Sequence, residues 1–139
     1  MHSLPIQLRF NDIDILGHLN NTVYFSLYDL GKARYMEEAG LRRHAPEPPS
    51  SVIVDIHCSY IRPIFYGDEI FVETTCTEIG HKSFTLMQQL VDASGEVRSR
   101  CLTVMVYFNP ATGESEPVPE DFREKIRRFE GNPSLGNEL

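Results

Sequence analysis

The segment Thr22-Val23-Tyr24-Phe25-Ser26-Leu27-Tyr28-Asp29-Leu30-Gly31-Lys32-Ala33-Arg34-Tyr35-Met36-Glu37-Glu38-Ala39 runs without a proline and is followed by Gly40. Its length and its stop signal predict one long helix, with Asn20 or Asn21 as the N-cap. Placed at 100° per residue, Val23, Leu27, Leu30 and Arg34 fall on one side, Tyr24, Tyr28, Gly31 and Tyr35 beside them, and Phe25 and Met36 nearly opposite. Apolar groups so distributed predict a helix covered on several sides. Gly31 costs a helix about 1 kcal/mol relative to Ala; on the side of Tyr24 and Leu27 it leaves room for another backbone to approach closely.

Outward from this helix the chain reads as β structure. Before it, Leu4 to Phe10 predicts a strand ending at the turn-prone Asn11-Asp12-Ile13-Asp14. After a Pro-containing loop, Ala45 to Ser50, the even positions Val52, Val54, Ile56, Cys58 and Tyr60 give one apolar face within a strand over Val52 to Arg62. Three further β-rich runs, Glu69 to Ile79, Ser83 to Val91 and Val97 to Phe108, are separated by Gly80-His81-Lys82 and by Asp92-Ala93-Ser94-Gly95. Such short, Gly-bearing connections make the strands antiparallel neighbours. Beyond Asn109-Pro110-Ala111-Thr112-Gly113, the spacing of Phe122, Ile126 and Phe129 predicts a short helix over Pro119 to Phe129. The fold class is therefore α+β, a curved antiparallel sheet wrapped around one long central helix, with a short C-terminal helix. Residues 1–130 form one domain, and residues 131–139, rich in Gly, Pro, Asn and Ser, are expected as a flexible tail. One helix covers one face only, so a partner subunit is expected on the remaining apolar surface.

Composition narrows the class of function. The 139 residues carry 13 Lys and Arg against 20 Asp and Glu, a formal charge of −7, and the basic residues form no cluster larger than Arg42-Arg43 or Arg127-Arg128. This excludes an ordinary nucleic-acid binder. No apolar run approaches the ~20 residues of a membrane span, and Met1 to Phe10 lacks the pattern of an export signal, so a cytoplasmic protein is expected. Cys58, Cys76 and Cys101 are dispersed within predicted strands, which fits reduced core thiols better than a disulfide framework or a zinc site.

The chemistry-bearing stretch is Arg9-Phe10-Asn11-Asp12-Ile13-Asp14-Ile15-Leu16-Gly17-His18-Leu19-Asn20-Asn21-Thr22-Val23-Tyr24. A helix start offers unpaired N–H groups and partial positive charge, suited to a bound anion or a developing oxyanion. A carboxylate folded back beside it, Asp14, makes a hydrolytic arrangement. The plainer reading takes Asp12, Asp14 and Asn20 as turn and cap residues and His18 as a hydrogen-bonded structural histidine. A phosphatase D-x-D lacks its preceding apolar strand and α/β repeats, a metal site lacks a closed ligand set, and no G-x-S-x-G or mid-loop Cys supports a triad.

The run Asp12 to Tyr24 resembles the D-x-D-x-x-G-H-V-N-N-x-x-Y motif of the 4-hydroxybenzoyl-CoA thioesterase-like acyl-CoA thioesterases, with Leu19 where Val is frequent. Tyr60-Ile61-Arg62-Pro63-Ile64-Phe65-Tyr66-Gly67-Asp68 resembles their Y-x-x-P-x-x-x-G-D pattern, and Gly80-His81-Lys82-Ser83-Phe84 their G-x-x-S turn. The likeness spans about residues 5 to 109. It implies the hot dog fold and hydrolysis of an acyl thioester to free acid and CoA thiol, with no cofactor besides the CoA of the substrate and no metal. It places the catalytic carboxylate on Asp14, with Asp12 supporting the turn, the carbonyl-binding N–H at about Asn21, and the turn at Gly17 and His18. It marks Lys82 and Ser83 as CoA-facing; Arg62, Arg98 and Arg100 are further phosphate candidates, and Tyr24, Tyr28 and Phe65 candidate walls of the acyl pocket. The family's assembly implies a homodimer or homotetramer, with Asp14 of one chain near the Tyr60 to Asp68 segment of the other. An aspartate with the ordinary pKa of about 3.9 is ionised at neutral pH and can attack the thioester or activate water; the sequence leaves both open. The leaving thiol, of pKa about 8.5, needs little help from a general acid. A thioesterase acting on acyl carrier protein, a non-catalytic acyl-thioester binder and a hot dog dehydratase are the alternatives; Asp14 disfavours the binder, and the dehydratase pattern of His and acid is not evident.

Overall fold

Helix α1 (Val23–Glu38) lies across the inner face of a five-stranded antiparallel sheet in a computed structural model describing residues 1–42 and 50–137. The strands are β1 (His2–Ile6), β2 (Ser51–Tyr60), β3 (Ile70–Ile79), β4 (Ser83–Asp92) and β5 (Val97–Tyr107), in the order β1-β3-β4-β5-β2. A second helix, α2 (Glu120–Glu130), packs on β3. This is the expected hot dog architecture. The first strand is shorter than expected, because the chain leaves the sheet at Ile6 and winds into a 3-10 turn over Phe10–Asp12. Most of the Pro-containing loop expected over Ala45 to Ser50 lies outside the described residues.

Gly31 sets how closely α1 meets the sheet. A Cβ there would stand 2.8 Å from Val72 Cγ2, 2.9 Å from Gln88 Nε2 and 3.2 Å from Thr74 Oγ1, so only glycine allows this approach. The fully buried Gln88 uses it, donating through Nε2 to the Tyr28 carbonyl at 2.9 Å and to Thr74 Oγ1 at 3.0 Å. α1 buries one face, Tyr24, Leu27, Tyr28, Gly31, Lys32, Tyr35 and Met36, while Phe25 and Leu30 stay exposed. The expectation of cover on several sides is therefore met on one side only within the chain.

The core has two halves. Around the start of α1, Leu19, Tyr24, Tyr28, Ile64, Ile70, Val72 and Leu90 pack together. Around its end, Tyr35, Met36, Phe84, Leu86 and Met105 meet Phe122 and Ile126 of α2. Glu130 ties this second half together, accepting from the Tyr35 hydroxyl at 2.5 Å, the Cys76 amide at 2.9 Å and the chain's N-terminal ammonium at 2.9 Å. The stretch expected as a free tail is anchored as far as it is described: Leu135 is buried, its carbonyl accepts from Arg127 Nε at 2.8 Å, and Asn137 Oδ1 accepts from Arg127 Nη2 at 2.8 Å.

Strand β2 departs from simple alternation. Ile53 pairs with Met105 and Asp55 with Val104, so Val54 is an extra, unpaired residue. The bulge switches faces: Ile56, Cys58 and Tyr60 share the inner face with Thr103, Cys101 and Ser99, but below it Ile53 does so, and Val52 lies on the other face with Val106. As an edge strand, β2 leaves Val52, Ile53, Val54 and Ile56 exposed.

Candidate active site

The loop before α1 is built by its own polar side chains. Asp12 is buried, and its carboxylate accepts the Arg9 amide at 2.9 Å and the Arg9 guanidinium at 2.9 Å. The guanidinium hydrogen bond holds the Asp12 carboxyl below the usual carboxylate range. The Asp12 carbonyl accepts the Asn20 amide at 2.8 Å, and Ile13 pairs with Leu19, so both ends of the loop are fixed. Between them the Asp14 amide donates to the His18 carbonyl at 2.8 Å, and Gly17 donates to the Asp14 carbonyl at 3.0 Å. This tight reversal requires φ +82° at Gly17, which explains the glycine.

The Asp14 side chain is held by one oxygen. Its Oδ1 accepts the amides of Leu16 at 2.9 Å and His18 at 3.3 Å, and no hydrogen bond among the described residues falls on Oδ2. The turn reading thus holds for Asp14, whose Oδ1 fixes the loop while Oδ2 takes no hydrogen bond among the described residues. At the helix start the cap position falls on Thr22, one or two residues later than the expected Asn20 or Asn21, and carries no side-chain cap; Asn20 instead closes the turn leading into the helix, its Oδ1 accepting the Thr22 amide at 3.0 Å while its carbonyl accepts the Val23 amide at 3.0 Å. No acceptor among the described residues takes the Asn21 amide.

Asp14, His18, Asn21, Tyr24, Tyr60 and Arg62 line one cavity of about 350 Å³ with Leu19, Ile61 and Pro63. The 61–68 segment is brought to it by the Leu19 amide, which donates to the Ile64 carbonyl at 2.7 Å, and by pairing of His18 with Phe65, whose rings meet edge-on at 5.2 Å. Where this segment was expected from a partner subunit, the same chain supplies it. Tyr60 donates to the Asn21 carbonyl at 3.1 Å and packs edge-on against Tyr24 at 4.7 Å; burial raises the pKa of the Tyr24 phenol.

Other candidate residues are placed differently. Tyr28 is wholly buried and donates to Ser99 Oγ at 2.6 Å, so it is a core residue and not a cavity wall. Phe65 stands beside the cavity as the support of His18. Arg62 lines the cavity and is mostly exposed, 3.7 Å from Glu96. Arg98 is enclosed by Asp68 and Asp92 and has no charge to spare for a phosphate, while Arg100 rests on Gln89. Lys82 and Ser83 lie at the far end of the sheet, where the Lys82 carbonyl accepts the Tyr107 amide and Ser83 pairs with Val106; within one chain they do not meet Asp14. Sequence reasoning passed over Tyr60 as a site residue, although it opens the Tyr-x-x-Pro run and sits on the face of Cys58. Among the described residues no three His, Cys, Asp or Glu side chains are grouped to hold a metal ion, and no helix is long and apolar enough to cross a membrane.

A backbone-braced carboxylate beside an uncommitted amide at a helix start coincides with the residues 8–126 matched by the model of the thioesterase-like superfamily. The chain belongs to that superfamily. A thioesterase from Thermus thermophilus, solved with coenzyme A and Zn, is 33% identical, superposes with a TM-score of 0.82 and covers 94% of this chain and 95% of its own. A predicted thioesterase from Bacillus stearothermophilus is 28% identical, with 91% and 93% covered and a TM-score of 0.82. A 4-hydroxybenzoyl CoA thioesterase mutant complexed with 4-hydroxybenzoyl CoA shares the fold at 20% identity, with 90% and 97% covered and a TM-score of 0.77. The hot dog thioesterase architecture is thus common to proteins of very different sequence.

Proposed function

We propose that this superfamily member is an acyl-CoA thioesterase in which Asp14 is the base or nucleophile and the Asn21 amide binds the thioester carbonyl. The observation that carries the reading is that Asp14, with one carboxylate oxygen free of hydrogen bonds among the described residues, and Asn21, with its uncommitted amide, line one cavity. The helix dipole and the amide stabilise the oxyanion that forms when the carbonyl carbon becomes tetrahedral. If the carboxylate attacks, the C–S bond breaks to give an acyl-aspartyl anhydride and CoA thiolate, and water then releases the acid. If it instead removes a proton from water, hydroxide adds to the carbonyl and the same thiolate leaves. Both routes end in free acid and CoA thiol, and neither draws on a cofactor or metal.

The assembly we propose is a two-fold dimer through β2. This ten-residue edge has exposed Val52, Ile53, Val54 and Ile56 and no Pro or Lys to protect it. A two-fold axis makes the pairing antiparallel, which sets the Ser51 end of one strand beside the Tyr60 end of the other. Because Val52 pairs with Val106 and Val106 with Ser83, the partner's Lys82-Ser83 turn comes to the end of the sheet that holds this chain's Asp14. That arrangement reconciles the distant position of the turn with a role in binding CoA. A second cavity of about 350 Å³, whose lining mixes Ala33, Met36, Ile53 and Met105 with polar residues such as Asp29 and Lys32, lies at the Lys82-Ser83 end of its own chain, so in this dimer the partner's copy comes to the Asp14 end and offers apolar wall for an acyl group.

Thiol release from aliphatic and aromatic acyl-CoAs, with acyl carrier protein thioesters in parallel, tests the reading. Turnover of at least one acyl-CoA is expected; tight binding of all of them without release would make the chain a binding protein, and release only from the carrier protein would reassign its substrate.

A further inference from the structure

The arginine expected at the substrate phosphates does different work. Arg98 is nearly buried, and its Nη1 donates to the Pro63 carbonyl at 2.8 Å and to Asp68 Oδ2 at 3.0 Å. Its Nε and Nη2 donate to Asp92 Oδ2 at 3.1 and 2.9 Å, and its carbonyl accepts the amides of Ile61 at 2.9 Å and Arg62 at 3.0 Å. Asp68 Oδ2 also accepts the Phe65 amide at 2.9 Å. The 61–68 segment has no regular structure to hold it: Pro63 lacks an N–H, and Gly67 sits at φ +95°. Arg98 therefore clamps both ends of this segment to the β4–β5 hairpin. From there the connection is short, since Pro63 itself lines the Asp14 cavity, Ile64 accepts the Leu19 amide, and Phe65 backs His18, whose amide is bound by Asp14.

We propose that Arg98, with Asp68, is a positioning residue for the Asp14 site: it fixes the loop against which the Asp14 turn is registered, without touching substrate. This rests on the thioesterase reading above. A guanidinium forked between two carboxylates and a carbonyl has the planar geometry such a clamp needs, which an ammonium reproduces only in part. Misplacement of a reacting group by about 1 Å costs up to ~10²-fold in rate, and that loss falls on kcat because the ground-state contacts to CoA are untouched.

The test compares wild type, Arg98→Gln, Arg98→Lys and Asp68→Ala in steady-state hydrolysis of the best acyl-CoA substrate and in amide hydrogen exchange. Arg98→Gln is expected to lower kcat at least ~10-fold with KM little changed, Arg98→Lys to restore part of the loss, and the Leu19 and Phe65 amides to exchange faster while the β4 amides stay protected. Asp68→Ala, which leaves the Arg98–Asp92 pair, is expected to do the same and decides the matter should Arg98→Gln fail to fold. A raised, salt-sensitive KM at unchanged kcat would make Arg98 a phosphate ligand and overturn the proposal, as would unchanged Leu19 and Phe65 exchange. Absence of turnover in wild type would remove the thioesterase reading alone, because the exchange measurement still decides whether the clamp exists.

Discussion

Asp14 and His18 hold each other twice: the Asp14 amide donates to the His18 carbonyl at 2.8 Å, and Asp14 Oδ1 accepts the His18 amide at 3.3 Å. A carboxylate fixed in this way loses little freedom on reaching a transition state, and Asp14 lines the same cavity as Asn21. In the proposed mechanism, preorganisation of this kind is what lets a site with few functional groups catalyse hydrolysis.

Replacing Gly31 by Ala sets two effects against each other. Alanine gains about 1 kcal/mol of helix propensity, but its Cβ meets the fully buried Val72 at 2.8 Å and a Gln88 that two hydrogen bonds hold in place. Overpacking costs ~1–3 kcal/mol, so a lowered midpoint in urea is expected. A raised midpoint would show that the helix and sheet are less closely apposed.

Acid should weaken the fold through Asp12 and Asp92. Arg9 holds the first carboxyl below its usual range, and the Ser94 hydroxyl, with backbone amides and Arg98, holds the second. Both groups bind fewer protons folded than unfolded below pH about 4. Their stabilisation is complete above that pH and is lost as pH falls through the lowered folded values. Asp12→Asn should flatten the fall in stability below pH 4, measured by urea titration at each pH; a slope equal to wild type would contradict it.

Thiol labelling should distinguish the cysteines. Burial pushes the Cys76 thiol up to about 12 and raises that of the buried Cys101, whereas Cys58 is only half-buried. A thiolate reagent at pH 8 should therefore modify Cys58 first and the other two only on unfolding. Rapid labelling of all three in native protein would contradict the core placement.

The proposed β2 pairing predicts that Ile56→Lys lowers the molar mass in light scattering from a dimer toward 15.9 kDa. An unchanged dimer would move the interface elsewhere.

Periodicity made most of this fold legible. Strands β3, β4 and β5 and both helices fall within a residue or two of the expected limits, because each has a face of one period and a Gly or Pro stop. Gly31 signalled the close helix–sheet approach. The Val54 bulge left no trace, since one extra residue in an apolar edge strand changes the facing of side chains without changing composition. Glu130 and Leu135 were equally silent, their partners Cys76, Tyr35 and Arg127 being known only once the chain is folded. In the site, the motif marked Asp14, His18 and Asn21, which share one cavity with the further candidates Tyr24 and Arg62; Tyr28 and Arg98, offered for the acyl pocket and the phosphates, have residue types that suit those roles but hydrogen bonds that are spent inside the chain.

The most direct measurement is kcat for Asp14→Asn on the best acyl-CoA substrate, alongside binding of the same thioester. The amide keeps an oxygen for the Leu16 and His18 amides, so the fold and binding should persist while kcat falls at least ~10²-fold. Turnover by Asp14→Asn close to wild type would show that another group performs the hydrolysis.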